Sequence, residues 1–282
     1  MVNADDFGMC NDENQATAEG LVAGIFTSST ILMTCERRDE ALAWARAHPE
    51  ADIGVHLTLN SEWPNYRWGP VLGARAVPSL VDENGLLWSS LAEIFMHVRL
   101  EEAEAELRAQ IDLALQNGLD VTHLDCHMGP LHLSLPFHNL YVRLATDYQL
   151  PIRVAPRTMF KQMGMSEVLE KMDAAGILYP DNLVVNDSRT PATTAAYWTG
   201  MIRGLPRGIS EFYCHPAYAR AELRAIAKDA EQREADFRFF TSAYAHELIA
   251  REHVRLIGYR MLRDTMRGAK SPGAATLGTD AA

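Results

Sequence analysis

Short β-branched or apolar runs alternate with helical stretches along almost the whole chain, and this alternation restricts the fold more than any other feature. Candidate strands lie at Val2–Asp6, Thr30–Thr34, Asp52–Leu59, Val121–His127, Ile152–Ala155, Asn182–Asn186, Gly208–Cys214 and Val254–Tyr259. Between most of them, apolar residues recur every three to four positions, which predicts helices over Asn14–Ala23, Arg38–Ala47, Leu91–Gln116, Phe137–Gln149, Met165–Ala175, Ala192–Arg203 and Glu231–Arg251. Parallel neighbours need a crossover long enough to hold a helix, so a repeated βα order implies a parallel sheet. This many units in 282 residues predict an α/β chain folded as a single distorted (β/α) barrel of about seven to eight parallel strands. The barrel is expected over residues 1–268, with 269–282 as a flexible Gly/Ala/Thr-rich tail. An open doubly wound sheet is the alternative, but no Gly-rich dinucleotide fingerprint supports it.

Several function classes are disfavoured by composition. The formal net charge is −11 and no basic run is present, so nucleic acid is not an expected partner. No stretch reaches the roughly 18–20 apolar residues of a membrane span, and no secretory signal opens the chain. Four cysteines without CxxC spacing suit reduced thiols in a cytoplasmic protein.

In a βα barrel the chemistry sits at the C-terminal ends of the strands. Four of the expected ends are rich in ionisable groups: Asp5-Asp6 on the first, His56 on the third, His123-Leu124-Asp125-Cys126-His127 on the fourth and His215 after the seventh. Each has an ordinary reading. Paired aspartates often cap turns, a lone strand histidine often sits in the core, and His215 before Pro216 suits a loop. The five-residue run is more telling. Period-two alternation places His123, Asp125 and His127 on one face, where desolvation is costly unless the groups are paired or bind metal. A carboxylate and two imidazoles from separate strands make a mixed site for a divalent ion with open positions, the pattern of a catalytic metal. A second carboxylate can serve as base and a histidine across the pocket as acid.

The stretches Val2-Asn3-Ala4-Asp5-Asp6-Phe7-Gly8, Gly54-Val55-His56-Leu57, Thr122-His123-Leu124-Asp125-Cys126-His127 and Cys214-His215-Pro216 resemble, in order, the motifs of the YdjC-like carbohydrate deacetylase family. The resemblance implies a metal-dependent hydrolase that removes the acetyl group from an N-acetylated amino sugar. It further implies Asp6, His56 and His127 as metal ligands, Asp5 as base, His215 as acid and Asp125 as the group orienting a ligand imidazole. By analogy with other metal-dependent deacetylases, Arg153 pairs with Asp5 and keeps it ionised. The expected cofactor is one divalent ion, zinc or magnesium, with manganese, cobalt and nickel compatible. The expected partner is a small carbohydrate.

Two departures stand out. Met128-Gly129-Pro130-Leu131-His132 replaces the histidine-rich run of better-known chito-oligosaccharide members, which leaves substrate identity open. Only Met1 and Val2 precede Asn3-Ala4-Asp5-Asp6, so either the first strand is short or the native start lies upstream. The alternatives are another metal-dependent hydrolase or isomerase on the same barrel, or a catalytically silent sugar-binding protein. Trp63, Tyr66 and Trp68, just beyond the His56 strand, are candidates for a sugar-stacking platform. The Glu- and Arg-rich stretch Leu91–Gln116 is expected as a solvated face or a subunit contact, which leaves a homodimer open.

Overall fold

The computed structural model describes residues 1–184 and 189–268. The expected tail at 269–282 and the end of the strand expected at Asn182–Asn186 therefore lie outside the described residues. Six parallel strands, β1 (Val2–Phe7), β2 (Ser28–Ile31), β3 (Ile53–Leu57), β4 (Leu124–Cys126), β5 (Asn182–Val184) and β6 (Ser210–Cys214), form one curled sheet in the order β4-β3-β2-β1-β6-β5. Helices follow the strands and pack outside them. β1, β2, β3 and β4 are buried throughout, although β2 (Ser-Ser-Thr-Ile) and β1 carry several polar side chains.

The fold is a curled half-barrel, and the expected count of seven to eight strands is corrected to six among the described residues. The run Ile152–Ala155 is reduced to a single parallel bridge between Ile152 and Leu124, and its Ile152 N–H donates to the Leu178 carbonyl at 3.3 Å. The expected strand Val254–Tyr259 does not form. Residues 254–258 are irregular and Tyr259 opens a helix, Tyr259–Met266. The cause is Asp52, whose Oδ2 accepts from the Arg260 N–H at 2.6 Å at that helix N-terminus. Gly258 lies against the same carboxylate, where a Cβ would come within 2.2 Å of Oδ2.

The two longest expected helices each break. Leu91–Gln116 divides into Leu91–His97 and Leu100–Gln116, because Arg99 N–H donates out of the helix to Ser79 Oγ at 3.0 Å. Glu231–Arg251 divides into Ala230–Phe240 and Ala243–Arg251, where Ser242 caps the second piece by accepting from Ala245 N–H. Helix Leu100–Gln116 is not solvated all round. Its buried Glu106 accepts from the Val71 and Leu72 N–H groups, and its Gln110 bonds both ways to Thr58, which anchors the aromatic loop after β3. Among the described residues no helix is long and apolar enough to cross a membrane.

Candidate active site

Asp5 and Asp6 are neighbours on β1, and a regular strand would send them to opposite faces. Here the β1–β2 register shifts between Ala4 and Phe7, and Asp6 adopts φ +66°, a left-handed conformation that aspartate tolerates better than most residues. Both carboxylates consequently border one cavity of about 490 Å³ at the C-terminal ends of the strands. Gly8 completes the turn at φ +95°, where a Cβ would stand 3.0 Å from the Arg38 backbone. His56 of β3 pairs in register with Asp125 of β4, and His127 follows β4 with its N–H on the Leu57 carbonyl. His215, just past β6, completes the ring and keeps 27% of its side chain accessible.

Three of these groups meet at one point. Asp6 Oδ1 lies 3.4 Å from His56 Nε2 and 3.2 Å from His127 Nδ1, and it is buried without a hydrogen-bond partner. The opposite ring nitrogens are held by carboxylates: His56 Nδ1 by Asp125 Oδ1 at 2.6 Å and His127 Nε2 by Glu62 Oε2 at 2.8 Å. Those partners keep the protons on the far nitrogens, so two imidazole lone pairs face a carboxylate oxygen. Only a proton or a cation relieves that arrangement, and the donor set of two nitrogens and one carboxylate fits a divalent ion. Without an ion, protons take its place. Burial disfavours charge on His56, but Asp125 and Asp6 outweigh it and lift the imidazole to about 9. Burial likewise opposes protonation of His127, yet Glu62 and Asp6 hold it well above the usual range.

Two buried arginines organise the carboxylates. Arg153 grips Asp5 through both oxygens at 2.6 and 2.8 Å and also reaches Glu211 at 2.9 Å and Asp125 at 3.1 Å. Asp5 Oδ1 accepts a second bond from Asn3 at 2.8 Å, so Oδ2, held by Arg153 alone, retains free accepting capacity. Arg233, on helix Ala230–Phe240, donates to Asp6 Oδ2 at 2.9 Å and to Glu13, and its Nε donates to Asp229 at 3.1 Å. Asp6 therefore presents a single oxygen to the imidazoles. His215 Nε2 stands 3.8 Å from the held oxygen, and burial lowers its proton affinity against the pull of Asp6.

Of the aromatic candidates, only Trp63 borders the cavity, with the Arg233 guanidinium 5.6 Å from its ring centre. Tyr66 donates to the Met9 carbonyl, and Trp68 sets its ring edge-on to His127 at 5.8 Å, so both brace the site from outside its wall. His123 faces the interior below Asp125 and stacks on Tyr259 at 3.9 Å, away from the cavity. His132 and Cys126 border the cavity, Cys214 lies in the core, and all four cysteines are buried free thiols. Sequence reasoning missed Glu62 and Arg233. Glu62 carried a weak signal, an acid six residues past His56 in the aromatic loop. Arg233 carried none, since it sits in a helix with charges on most turns.

The family model described as "YdjC-like protein" matches residues 1–251. Among curated relatives, a "Carbohydrate deacetylase" of Enterococcus faecalis is 30% identical over 93% of this chain and 97% of its own length. One from Brevibacillus brevis is 27% identical over 93% and 98%. A crystal structure from Enterococcus faecalis, of a protein whose description proposes cellobiose-phosphate cleavage, superposes with a TM-score of 0.80 at 29% identity, covering 93% of this chain and 97% of that one. The match to the family model across most of the chain, together with full-length relatives that share the fold, places this chain in the YdjC-like family.

Proposed function

We propose that this chain is a metal-dependent carbohydrate N-deacetylase that hydrolyses the acetamide of an N-acetylated amino sugar. The observation that carries the reading is the convergence of Asp6 Oδ1, His56 Nε2 and His127 Nδ1 on one point of a cavity that Asp5 and His215 also border. The relatives' name, carbohydrate deacetylase, supports the choice of reaction.

Asp6, His56 and His127 would hold the ion. When bound, a divalent ion polarises the amide carbonyl and acidifies water. Asp5, oriented by Arg153 and Asn3, takes the proton of the attacking water at Oδ2. His215, on the other side of Asp6 and open to the cavity, delivers a proton to the departing amine. Asp125 and Glu62 set the tautomers of the two ligand imidazoles. Trp63 offers the ring on which a sugar face can stack.

The test is acetate release from N-acetylglucosamine, its short oligomers and related acetylated sugars. Metal-stripped protein is assayed first, then protein resupplied with zinc, magnesium, manganese, cobalt or nickel. Acetate release that disappears on stripping and returns with one of these ions is expected. Phosphate release from sugar phosphates, or silence from protein that demonstrably binds the ion, overturns the reading.

A further inference from the structure

The cavity has two unlike walls. Around the sheet, β3, β1, β6 and the helix carrying Arg233 contribute its carboxylates, imidazoles and guanidinium. The remaining arc runs from the end of β4 past Ile152 to β5; besides His127, His132 and Arg153 it contributes the apolar side chains of Met128, Leu133, Ala155, Pro156, Met159 and Leu183. Met128 is 53% exposed at the rim, and Leu133, Met159 and Leu183 are only half buried, so this apolar surface faces the cavity instead of being consumed by the core.

The two charged side chains that border this arc are already engaged. Arg153 is held by three carboxylates and His127 by Glu62. The Nδ1 of His132 has no hydrogen-bond partner, but it is buried away from solvent and does not face the open cavity as a donor or acceptor. A bare sugar ring placed here would lose water from its hydroxyls without gaining partners, which is unfavourable. A second observation concerns charge. The other arginine bordering the cavity, Arg233, is likewise saturated, by Asp6, Glu13 and Asp229. Among the described lining residues no guanidinium is left for an anionic substituent, while Glu62 and Asp229 add negative charge.

We infer that the substrate carries an uncharged apolar group, which occupies the arc formed by Met128, Leu133, Ala155, Pro156, Met159 and Leu183. The identification of the polar half as an N-acetylated amino sugar rests on the deacetylase reading; the apolar half rests on the arc itself. The group can be an alkyl aglycone or a longer N-acyl chain, and the test separates the two.

The metal-loaded protein is assayed on methyl, butyl and octyl glycosides of N-acetylglucosamine, on its N-propionyl and N-butyryl homologues, and on its 6-phosphate. Each methylene that leaves water for the arc is expected to raise kcat/KM about fourfold. The butyl glycoside should therefore exceed the methyl glycoside by at least about tenfold if the group is an aglycone. If the group is the acyl chain, the N-acyl series rises instead, and in either case the 6-phosphate is the poorest substrate. The double variant Met159→Gln, Leu183→Gln should flatten whichever series rises, read as a ratio of kcat/KM values. Turnover of the methyl glycoside with both series flat or falling, or a 6-phosphate preferred over the alkyl glycosides, overturns the inference. If no compound is deacylated, the deacetylase reading fails, and calorimetric Kd values for the same glycosides still decide the apolar arc. Tighter binding with chain length and a negative heat-capacity change support it, and constant Kd refutes it.

Discussion

Replacing Asp125 with asparagine isolates the role of a proton position from that of shape. Oδ1 of Asp125 accepts one bond, from His56 Nδ1 at 2.6 Å. Oδ2 faces three donors: Thr30 Oγ1 at 2.8 Å, Arg153 at 3.1 Å and Asn3 Nδ2 at 3.4 Å. An amide NH2 in the Oδ2 position would confront three donors, one of them a guanidinium, whereas in the Oδ1 position it confronts one. The introduced amide therefore turns its NH2 to His56, which must accept it at Nδ1 and carry its own proton at Nε2. Nε2 is the atom that faces Asp6, so the variant places a hydrogen where the ion's ligand lone pair should be. Loss of such an orienting partner typically lowers metal affinity about 10- to 100-fold, equivalent to about 1.4–2.7 kcal/mol, and the tautomer switch puts Asp125→Asn at the upper end. The assay is calorimetric titration of stripped protein with zinc, paired with long-range ¹H–¹⁵N spectra of the histidines. A zinc Kd within about threefold of the parent, with His56 still protonated at Nδ1, would show that the tautomer argument is wrong.

Three other outcomes are expected. Asp5→Asn should keep the zinc Kd within a few-fold while lowering kcat by about 10²–10⁴, as for a lost general base, and near-parental turnover would remove Asp5 from that role. Burial raises Asp52 to about 6 even though Arg260 and Thr122 donate to it, so the folded protein retains a proton there that the unfolded chain has lost. Its contribution therefore falls as pH rises from about 4 through 6, and the stability gap between Asp52→Asn and the parent should move by about 2 kcal/mol in favour of asparagine between pH 4 and 7. Parallel denaturation curves across that range would refute this. Gly54→Ala would bring a Cβ within 2.5 Å of the His123 carbonyl and 2.6 Å of its ring, where β3 meets β4. Strand separation there should cost about 3 kcal/mol, measured by chemical denaturation, and an unchanged midpoint would show that the strands have slack.

Much of this site is legible in sequence because strand periodicity is local. His56, Asp125 and His127 lie on interior-facing positions that alternation identifies, and Asp6 closes the expected strand Val2–Asp6, although β1 continues through an irregular register to Phe7. What could not be read depends on contacts distant in the chain. Arg233 reaches Asp6 across 227 positions, and its helix shows only an ordinary charged pattern. Val254–Tyr259 has the composition of a strand, yet a carboxylate two hundred residues earlier converts its end to a helix, and Tyr259 then seals the interior against His123. The break at Val98 has no glycine or proline to announce it; the donor leaves the helix for Ser79. At Ser242 a capping hydroxyl was present and is a signal the helical periodicity masked. Trp68 and Tyr66 share with Trp63 the composition of a sugar platform, and only packing separates the one that borders the cavity from the two that brace it.

The backbone ladder is uneven around the ring. From β4 through β3, β2, β1 and β6 to β5 the hydrogen bonding is continuous, and Asp6, His56 and His127, the groups proposed to hold an ion, project from that stretch or its ends. Ile152 joins by one bridge and one further bond, and the apolar arc is centred on that seam. Inheritance can act on the two parts separately. On the proposed reading, a substitution at Met159 or Leu183 changes what the cavity welcomes and leaves Asp6 and its imidazoles in place, while a change in β1 or β3 reaches the proposed ion site at once. A lineage built this way can keep one reaction for a long time and still exchange the molecules on which it performs it.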